Sequence, residues 1–111
     1  LFLYVAFQAT HNPLSAPDVY REQYDEKIVD WPRRLFAGMA TAMDEAVKNI
    51  TDALVEAKMY SDTVLIFSSD NGGEPSRIGR SNNYPLNHGI MLPDLYPQVV
   101  RSFFVIHMWR K

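Results

Sequence analysis

The residues with the clearest chemical potential are Asp70 and Asn71, in the run SSDNGG. A carboxylate and an amide oxygen are ligands for a hard cation, and the glycines of this run let the backbone approach a bulky group. Calcium takes about 6–8 oxygens and magnesium about 6, so other segments and substrate would have to complete the shell. Asp, Asn and Gly also form tight turns, because they tolerate left-handed backbone angles. The residues alone leave both a cation site and a simple turn open.

A second candidate is His11, in the polar run QATHNP. An imidazole can contact an anionic oxygen or protonate a leaving group. A loop histidine is also often only a hydrogen-bonded structural residue, so its position decides between the two interpretations. His88 and His107 have no comparable setting.

Two further features could carry function. Asn49-Ile50-Thr51 is an N-glycosylation sequon, and Asn49 falls near the edge of the apolar face of a predicted helix. Arg77 and Arg80 follow the glycine pair and could attract sulfate or phosphate, although exposed arginines also serve solubility alone.

The elements that must position these residues alternate between strand and helix. Leu1 to Phe7 and Thr63 to Ser68 are short, nearly continuous apolar runs that predict strands covered on both faces. A long amphipathic pattern separates them, so the order predicts a βαβ unit with parallel strands and an α/β fold class. Because ligands gather beyond the carboxyl ends of parallel strands, His11 is expected at the same sheet edge as Asp70 and Asn71.

The connecting helix is predicted from Pro32 to about Met59, with Asp30 as its N-cap and Pro32 in its first turn. Its apolar residues recur at three- and four-residue steps and share one face; they are Leu35, Phe36, Met39, Met43, Val47, Ile50 and Leu54. Residues 14–31 are predicted to be irregular and to be held in place by three aromatic rings, those of Tyr20, Tyr24 and Trp31.

Composition excludes several classes of protein. The 111 residues carry a formal net charge of −2, which gives no general attraction to nucleic acid. No run approaches the ~18 consecutive apolar residues of a membrane span. The chain has no cysteine, so disulfides, thiolate metal sites and cysteine nucleophiles are excluded within it.

Several separate blocks resemble the sulfatases. The blocks are LFLYVAFQATHNPLSAP, AGMATAMDEAVKNIT, TVLIFSSDNGG and SNNYPL, which are collinear over residues 1–86. The sequence is most similar to the arylsulfatase B (N-acetylgalactosamine-4-sulfatase) type, with the related I and J enzymes close behind.

The resemblance implies an alkaline-phosphatase-like sulfatase fold, in which the βαβ unit belongs to a mainly parallel sheet with flanking helices. It implies hydrolysis of sulfate esters on a sulfated glycan or an aryl sulfate, with calcium as the cofactor and a lysosomal or secreted location. On this likeness Asp70 and Asn71 match metal ligands, and His11 matches the histidine that touches the sulfate group. Asn49 matches a glycosylation site.

Two departures accompany this resemblance. The formylglycine-generating motif that supplies the family's nucleophile has no match, and neither does the early aspartate pair of the calcium shell. After Leu86 the likeness is lost, and no lysine between Lys58 and Lys111 can serve as the family's sulfate-binding lysine. We therefore expect residues 1–86 to be a fragment of a sulfatase catalytic domain, with the remainder of that domain as its missing partner, and residues 87–111 to be a divergent segment.

Two alternatives remain open at this point. One is a non-catalytic chain, either a truncated isoform or a pseudoenzyme. The other is a phosphoester hydrolase of the alkaline phosphatase superfamily, which shares the layout of metal site and sheet.

Overall fold

The computed structural model of the chain describes residues 1–69 and, as a backbone strand, residues 104–108. The chain divides into two compact units, Leu1–Asn49 and Ile50–Lys111. The described elements are helices α1 (Asp18–Arg21) and α2 (Trp31–Glu56), 3₁₀ turns at Glu22–Tyr24 and Tyr60–Asp62, and strands β1 (Val64–Ser68) and β2 (Phe104–Met108).

Helix α2 begins where its N-cap was predicted. The Asp30 carboxylate accepts a hydrogen bond from the Arg33 backbone N–H at 2.9 Å, and the Asp30 carbonyl accepts one from the Arg34 N–H at 3.0 Å. Pro32 lies in the first turn, where its missing N–H costs no intrahelical bond. The predicted cap is confirmed, and the helix runs for 26 residues.

The two sides of α2 differ in exposure as its periodicity predicts. Its seven apolar-face positions are all partly buried, whereas Asp44, Glu45, Lys48, Asp52 and Glu56 are exposed. Among the described residues, however, no hydrophobic side chain is fully buried. The helix therefore has an inner face, but the described part of the chain does not close a core over it.

A Schellman motif ends α2 three residues earlier than predicted. The Lys58 N–H donates to the Val55 carbonyl and the Met59 N–H donates to the Leu54 carbonyl, both at 2.9 Å. This arrangement requires Lys58 to be in the left-handed region, and its φ is 57°. The C-terminal carbonyls of the helix are thereby satisfied.

Replacing Lys58 with glycine is expected to stabilise the chain by up to about 1 kcal/mol, because glycine adopts positive φ without the Cβ penalty that lysine pays. The midpoint of helix loss, followed by circular dichroism in urea, should rise. Lys58→Ala is the matched control, because it removes the same charge and retains the Cβ. An equal rise in Lys58→Ala would assign the effect to charge.

The predicted second strand is confirmed, but its pairing is not the predicted one. Strand β1 pairs with β2 in an antiparallel two-stranded sheet, with Ile66 opposite Ile106 and Leu65 opposite His107. A hydrogen-bonded partner for β1 therefore comes from a segment that was not predicted to form a strand. Within the described residues the parallel βαβ pair is not formed.

The predicted strand at Leu1–Phe7 is wrong for this structure. These residues have no regular secondary structure, and Leu1, Phe2 and Tyr4 are 100%, 90% and 81% exposed. A strand requires a neighbour that accepts its backbone hydrogen bonds, and residues 1–69 together with 104–108 offer none beside it. Apolar composition indicates that a segment can be buried as a strand, but only tertiary partners make it one.

No helix in the part of the chain that the structure describes is both long and apolar enough to cross a bilayer.

Candidate functional site

His11 lies in a tight turn that fixes one of its ring nitrogens. Its backbone N–H donates to the Gln8 carbonyl at 3.0 Å, which closes the turn, and its side chain is exposed. The Nδ1 atom is 2.6 Å from the Asn12 carbonyl oxygen. A carbonyl can only accept, so Nδ1 carries the proton of this bond. The Nε2 atom is then the nitrogen available to accept a proton or, in the imidazolium, to donate one.

The predicted metal ligands Asp70 and Asn71 lie outside the described residues, so their predicted proximity to His11 stays a prediction. Within residues 1–69 no group of three or more His, Asp or Glu side chains could hold a metal ion. The donor chemistry of Asp70 and Asn71 fits calcium, but two oxygens do not fill its shell.

The segment that follows the His11 turn is attached to α2 by two of its tyrosines. Thr41 Oγ1 donates to the Ala37 carbonyl at 3.1 Å, so the Tyr24 hydroxyl is the donor in its 2.5 Å bond to Thr41. The Tyr20 hydroxyl is hydrogen-bonded to the Glu45 carboxylate. That bond, together with partial burial and the charge of Glu45, raises the pKa of Tyr20. The prediction that aromatic rings hold residues 14–31 in place is confirmed at both tyrosines.

Trp31 provides the third ring, and two arginines cover it. The guanidinium carbons of Arg21 and Arg34 lie 4.9 and 5.6 Å from its ring centroid, within the range of cation–π attraction. Arg34 Nε also donates to the Ile28 carbonyl at 2.9 Å, which draws the chain before α2 toward the first turn of that helix. Instead of the predicted irregular course, the segment contains α1 and a 3₁₀ turn.

Both arginines also belong to a charge network that we call the Arg21 cluster, consisting of Asp18, Arg21, Glu22, Asp25 and Arg34. Asp25 Oδ1 bridges the two arginines, at 3.1 Å from Arg21 and 2.9 Å from Arg34. The Arg21 side chain is only 13% exposed, whereas Asp18 and Glu22 are mostly exposed. Because water screens the exposed carboxylates, each pair contributes at most about 1 kcal/mol, and the network mainly fixes geometry.

This segment approaches α2 closely at Gly38, which is buried. A Cβ built on Gly38 would lie 2.9 Å from the Ala16 Cβ and 3.2 Å from the Arg21 backbone. Such distances leave no room for a side chain. The glycine therefore allows the segment that follows the His11 turn to lie directly on the helix.

Gly38→Ala is expected to destabilise the packing of Ala16 and Arg21 on α2. The overpacking cost of about 1–3 kcal/mol should exceed the helix-propensity gain of about 1 kcal/mol. Amide exchange of Tyr20 and Arg21, whose N–H groups bond the Pro17 carbonyl, should accelerate. The double variant Ala16→Gly/Gly38→Ala removes the closest contact and should slow that exchange again. Exchange in Gly38→Ala as slow as in the parent chain would contradict the packing.

Sequence reasoning missed the Arg21 cluster and Gly38, although each had a signal. Asp18, Arg21 and Asp25 are spaced three and four residues apart, which places them on one side of a helical turn. An isolated glycine inside a strongly helical pattern indicates a packing requirement. Asn49, by contrast, lies on α2 with an exposed side chain, as the sequence suggested.

Comparison with known proteins identifies the class to which this chain belongs. The sequence model of the family described as "Sulfatase" matches residues 1–96. The chain therefore belongs to the sulfatase family, and the resemblance stated from its sequence blocks is confirmed.

Two individual sulfatases are similar to this chain in sequence. The chain is 48% identical over 86 residues to arylsulfatase J of Mus musculus. The aligned segment covers 78% of this chain and 14% of that protein. It is 32% identical over 72 residues to the uncharacterized sulfatase YdeN of Escherichia coli strain K12, covering 63% of this chain and 12% of that protein.

A solved structure supports the sulfatase fold. The crystal structure of Ps i-CgsB in complex with k-i-k-neocarrahexaose matches with a TM-score of 0.71 and 29% identity, over 90% of this chain and 21% of the other. The alkaline-phosphatase-like sulfatase fold is thus confirmed at the level of the family. The chain spans about one seventh of the length of arylsulfatase J.

Proposed function

We propose that residues 1–86 supply one part of the active site of a sulfuric ester hydrolase. The observation that carries this proposal is the family match over residues 1–96. The His11 turn supports it, because one ring nitrogen is held by the Asn12 carbonyl and the other is free to exchange a proton with substrate. In this role His11 contacts the sulfate ester and protonates the departing alcohol oxygen.

The proposed substrate class is a sulfated glycan or an aryl sulfate ester. The glycan is supported by the structural neighbour, which is complexed with k-i-k-neocarrahexaose. The aryl ester is supported by the name of the 48% identical relative. Both are sulfate monoesters, so the same transfer chemistry serves either one.

Calcium is the proposed cofactor, with Asp70 and Asn71 as two of its oxygen ligands. A divalent cation would neutralise sulfate oxygens as charge develops on the transferring group. In the proposed site the remaining ligands come from the rest of a sulfatase domain, because two oxygens do not fill the shell of calcium.

The proposal is tested with a chimera in which residues 1–86 replace the corresponding segment of mouse arylsulfatase J. The chimera should release sulfate from an aryl sulfate, whereas the 111-residue chain should show no turnover above background, because it has no cysteine to form the nucleophile. Intact arylsulfatase J is the positive control. A well-folded chimera without activity would favour the non-catalytic alternative, and release of phosphate from phosphate monoesters in preference to sulfate would favour the phosphoester hydrolase.

We also propose a lysosomal or secreted location with N-glycosylation at Asn49. The side chain is exposed on α2, so an attached glycan would extend into solvent. Expressed through the secretory pathway, the chain should carry a glycan that a peptide N-glycosidase removes and that Asn49→Gln abolishes. Thr51→Ser is the matched control, because it retains a sequon. An unmodified Asn49 in secreted protein would contradict this prediction.

A further inference from the structure

Strand β2 lies outside the residues that match the sulfatase family. The match ends at residue 96, whereas β2 is Phe104–Met108. Strand β1, Val64–Ser68, is inside the match. The sheet therefore joins one strand from the sulfatase-like part of the chain to one strand from beyond it.

The pairing of these strands covers the full length of β1. Each of its five residues has a partner, from Val64 opposite Met108 to Ser68 opposite Phe104. An antiparallel ladder of this kind satisfies backbone N–H and C=O groups along one edge of β1.

Strand β1 is a segment that needs such protection. Its sequence, VLIFS, has no charge, proline or glycine, and its Val64 and Ile66 side chains are 59% and 61% exposed. An uncharged, apolar strand with an open edge is a template for pairing with other chains.

We propose that β2 is an intramolecular edge cap for β1, supplied by the segment beyond the sulfatase match. The cap occupies one edge of β1 and prevents that edge from pairing with a second copy of the chain. It also excludes any other strand of a sulfatase sheet from the same edge. The cap does not depend on catalysis, so its test is independent of the proposed function.

Cross-linking tests the register directly, because the chain has no cysteine of its own. Residues directly opposite in an antiparallel pair have Cα atoms about 4.5–5.5 Å apart, which suits a disulfide. At least one of the variants Leu65→Cys/His107→Cys and Ile66→Cys/Ile106→Cys should form an intramolecular disulfide under mild oxidation. The offset variant Ile66→Cys/Val105→Cys should not, because a shift of one residue moves the side chain to the opposite face.

A non-reducing gel distinguishes the possible outcomes of this experiment. Faster migration of a monomer with either matched pair supports the cap. No intramolecular disulfide in either matched pair overturns it, as does a disulfide that forms equally well in the offset variant or only between chains.

A second measurement tests what the cap does. Ile106→Pro removes a backbone donor in the middle of β2, whereas Lys111→Pro makes the same change beyond the strand. Hydrogen-bonded and non-hydrogen-bonded pairs alternate along an antiparallel ladder, so one of Val105→Pro and Ile106→Pro removes a hydrogen bond to β1. Amide exchange in β1 should rise by about tenfold in that variant. Light scattering should rise in the same variant. Lys111→Pro should match the parent chain. Unchanged exchange and scattering in both Val105→Pro and Ile106→Pro would overturn the cap.

Discussion

Replacing His11 with alanine in the arylsulfatase J chimera is expected to lower the rate of sulfate release by about 10²–10⁴-fold, the usual contribution of a general acid. The Asn12 carbonyl holds Nδ1 at 2.6 Å, which orients the ring and leaves Nε2 for substrate. Alanine removes both the proposed proton donor and its proposed contact with sulfate. The loss should appear mainly in kcat and in kcat/KM, because leaving-group protonation belongs to the transition state.

The leaving group distinguishes proton donation from simple contact. An alcohol of a glycan is a poor leaving group and needs the proton, whereas a nitrophenolate departs with little assistance. His11→Ala should therefore impair glycan or alkyl sulfates more than nitrophenyl sulfate. Gln8→Ala, an exposed change in the same turn, is the matched control and should retain activity. An equal loss on both substrates would remove the acid role, and no loss on either would remove His11 from the site.

The features that the sequence predicted well are those that local chemistry determines. Helix α2 follows from its periodicity, and Asp30 caps it because a carboxylate can reach the N–H groups of the next turn. Tyr20 and Tyr24 attach the preceding segment to α2 because a ring with a polar tip can both pack and hydrogen-bond. The cap joins neighbouring residues, and the Tyr24–Thr41 bond joins residues that belong to the same unit of the chain.

The predictions that were wrong concern features that depend on partners distant in sequence. Leu1–Phe7 has the composition of a buried strand, but no described strand pairs with it, and it is exposed and without regular secondary structure. Strand β1 forms as predicted, but it pairs with β2 in an antiparallel ladder instead of with the predicted parallel strand. Composition therefore identified β1 but predicted neither β2 nor the pairing of the two strands, because pairing depends on hydrogen-bond partners elsewhere in the chain.

The candidate site shows the same contrast between features that the sequence predicts and features that depend on tertiary contacts. The position of His11 in a polar turn was predictable, but the assignment of its proton to Nδ1 required the Asn12 carbonyl. Gly38 and the Arg21 cluster hold the segment that follows this turn, and their roles emerge only once α2 and α1 are in contact. The assignment of Asp70 and Asn71 as metal ligands rests on the resemblance to the family and on their donor chemistry. Their expected location at the same sheet edge as His11 stays a prediction.

Replacing Asp70 with alanine in the same chimera should raise the calcium concentration for half-maximal activity by at least about 10–100-fold, since even outer-shell changes cost that much in metal affinity. A carboxylate is the stronger of the two proposed donors, because it adds charge to the calcium shell as well as an oxygen. Asn71→Asp retains an oxygen at its position and should be tolerated better than Asn71→Leu.

Glu74→Ala provides the matched control for Asp70→Ala, because it removes one carboxylate from the same polar run without touching a proposed ligand. If calcium binds through Asp70, only Asp70→Ala shifts the calcium titration, and excess calcium restores part of its activity. Equal shifts in the two variants would mean that the effect is one of net charge on the loop. A titration unchanged by Asp70→Ala would show that the SSDNGG run is a turn, the interpretation that its residue types also allow.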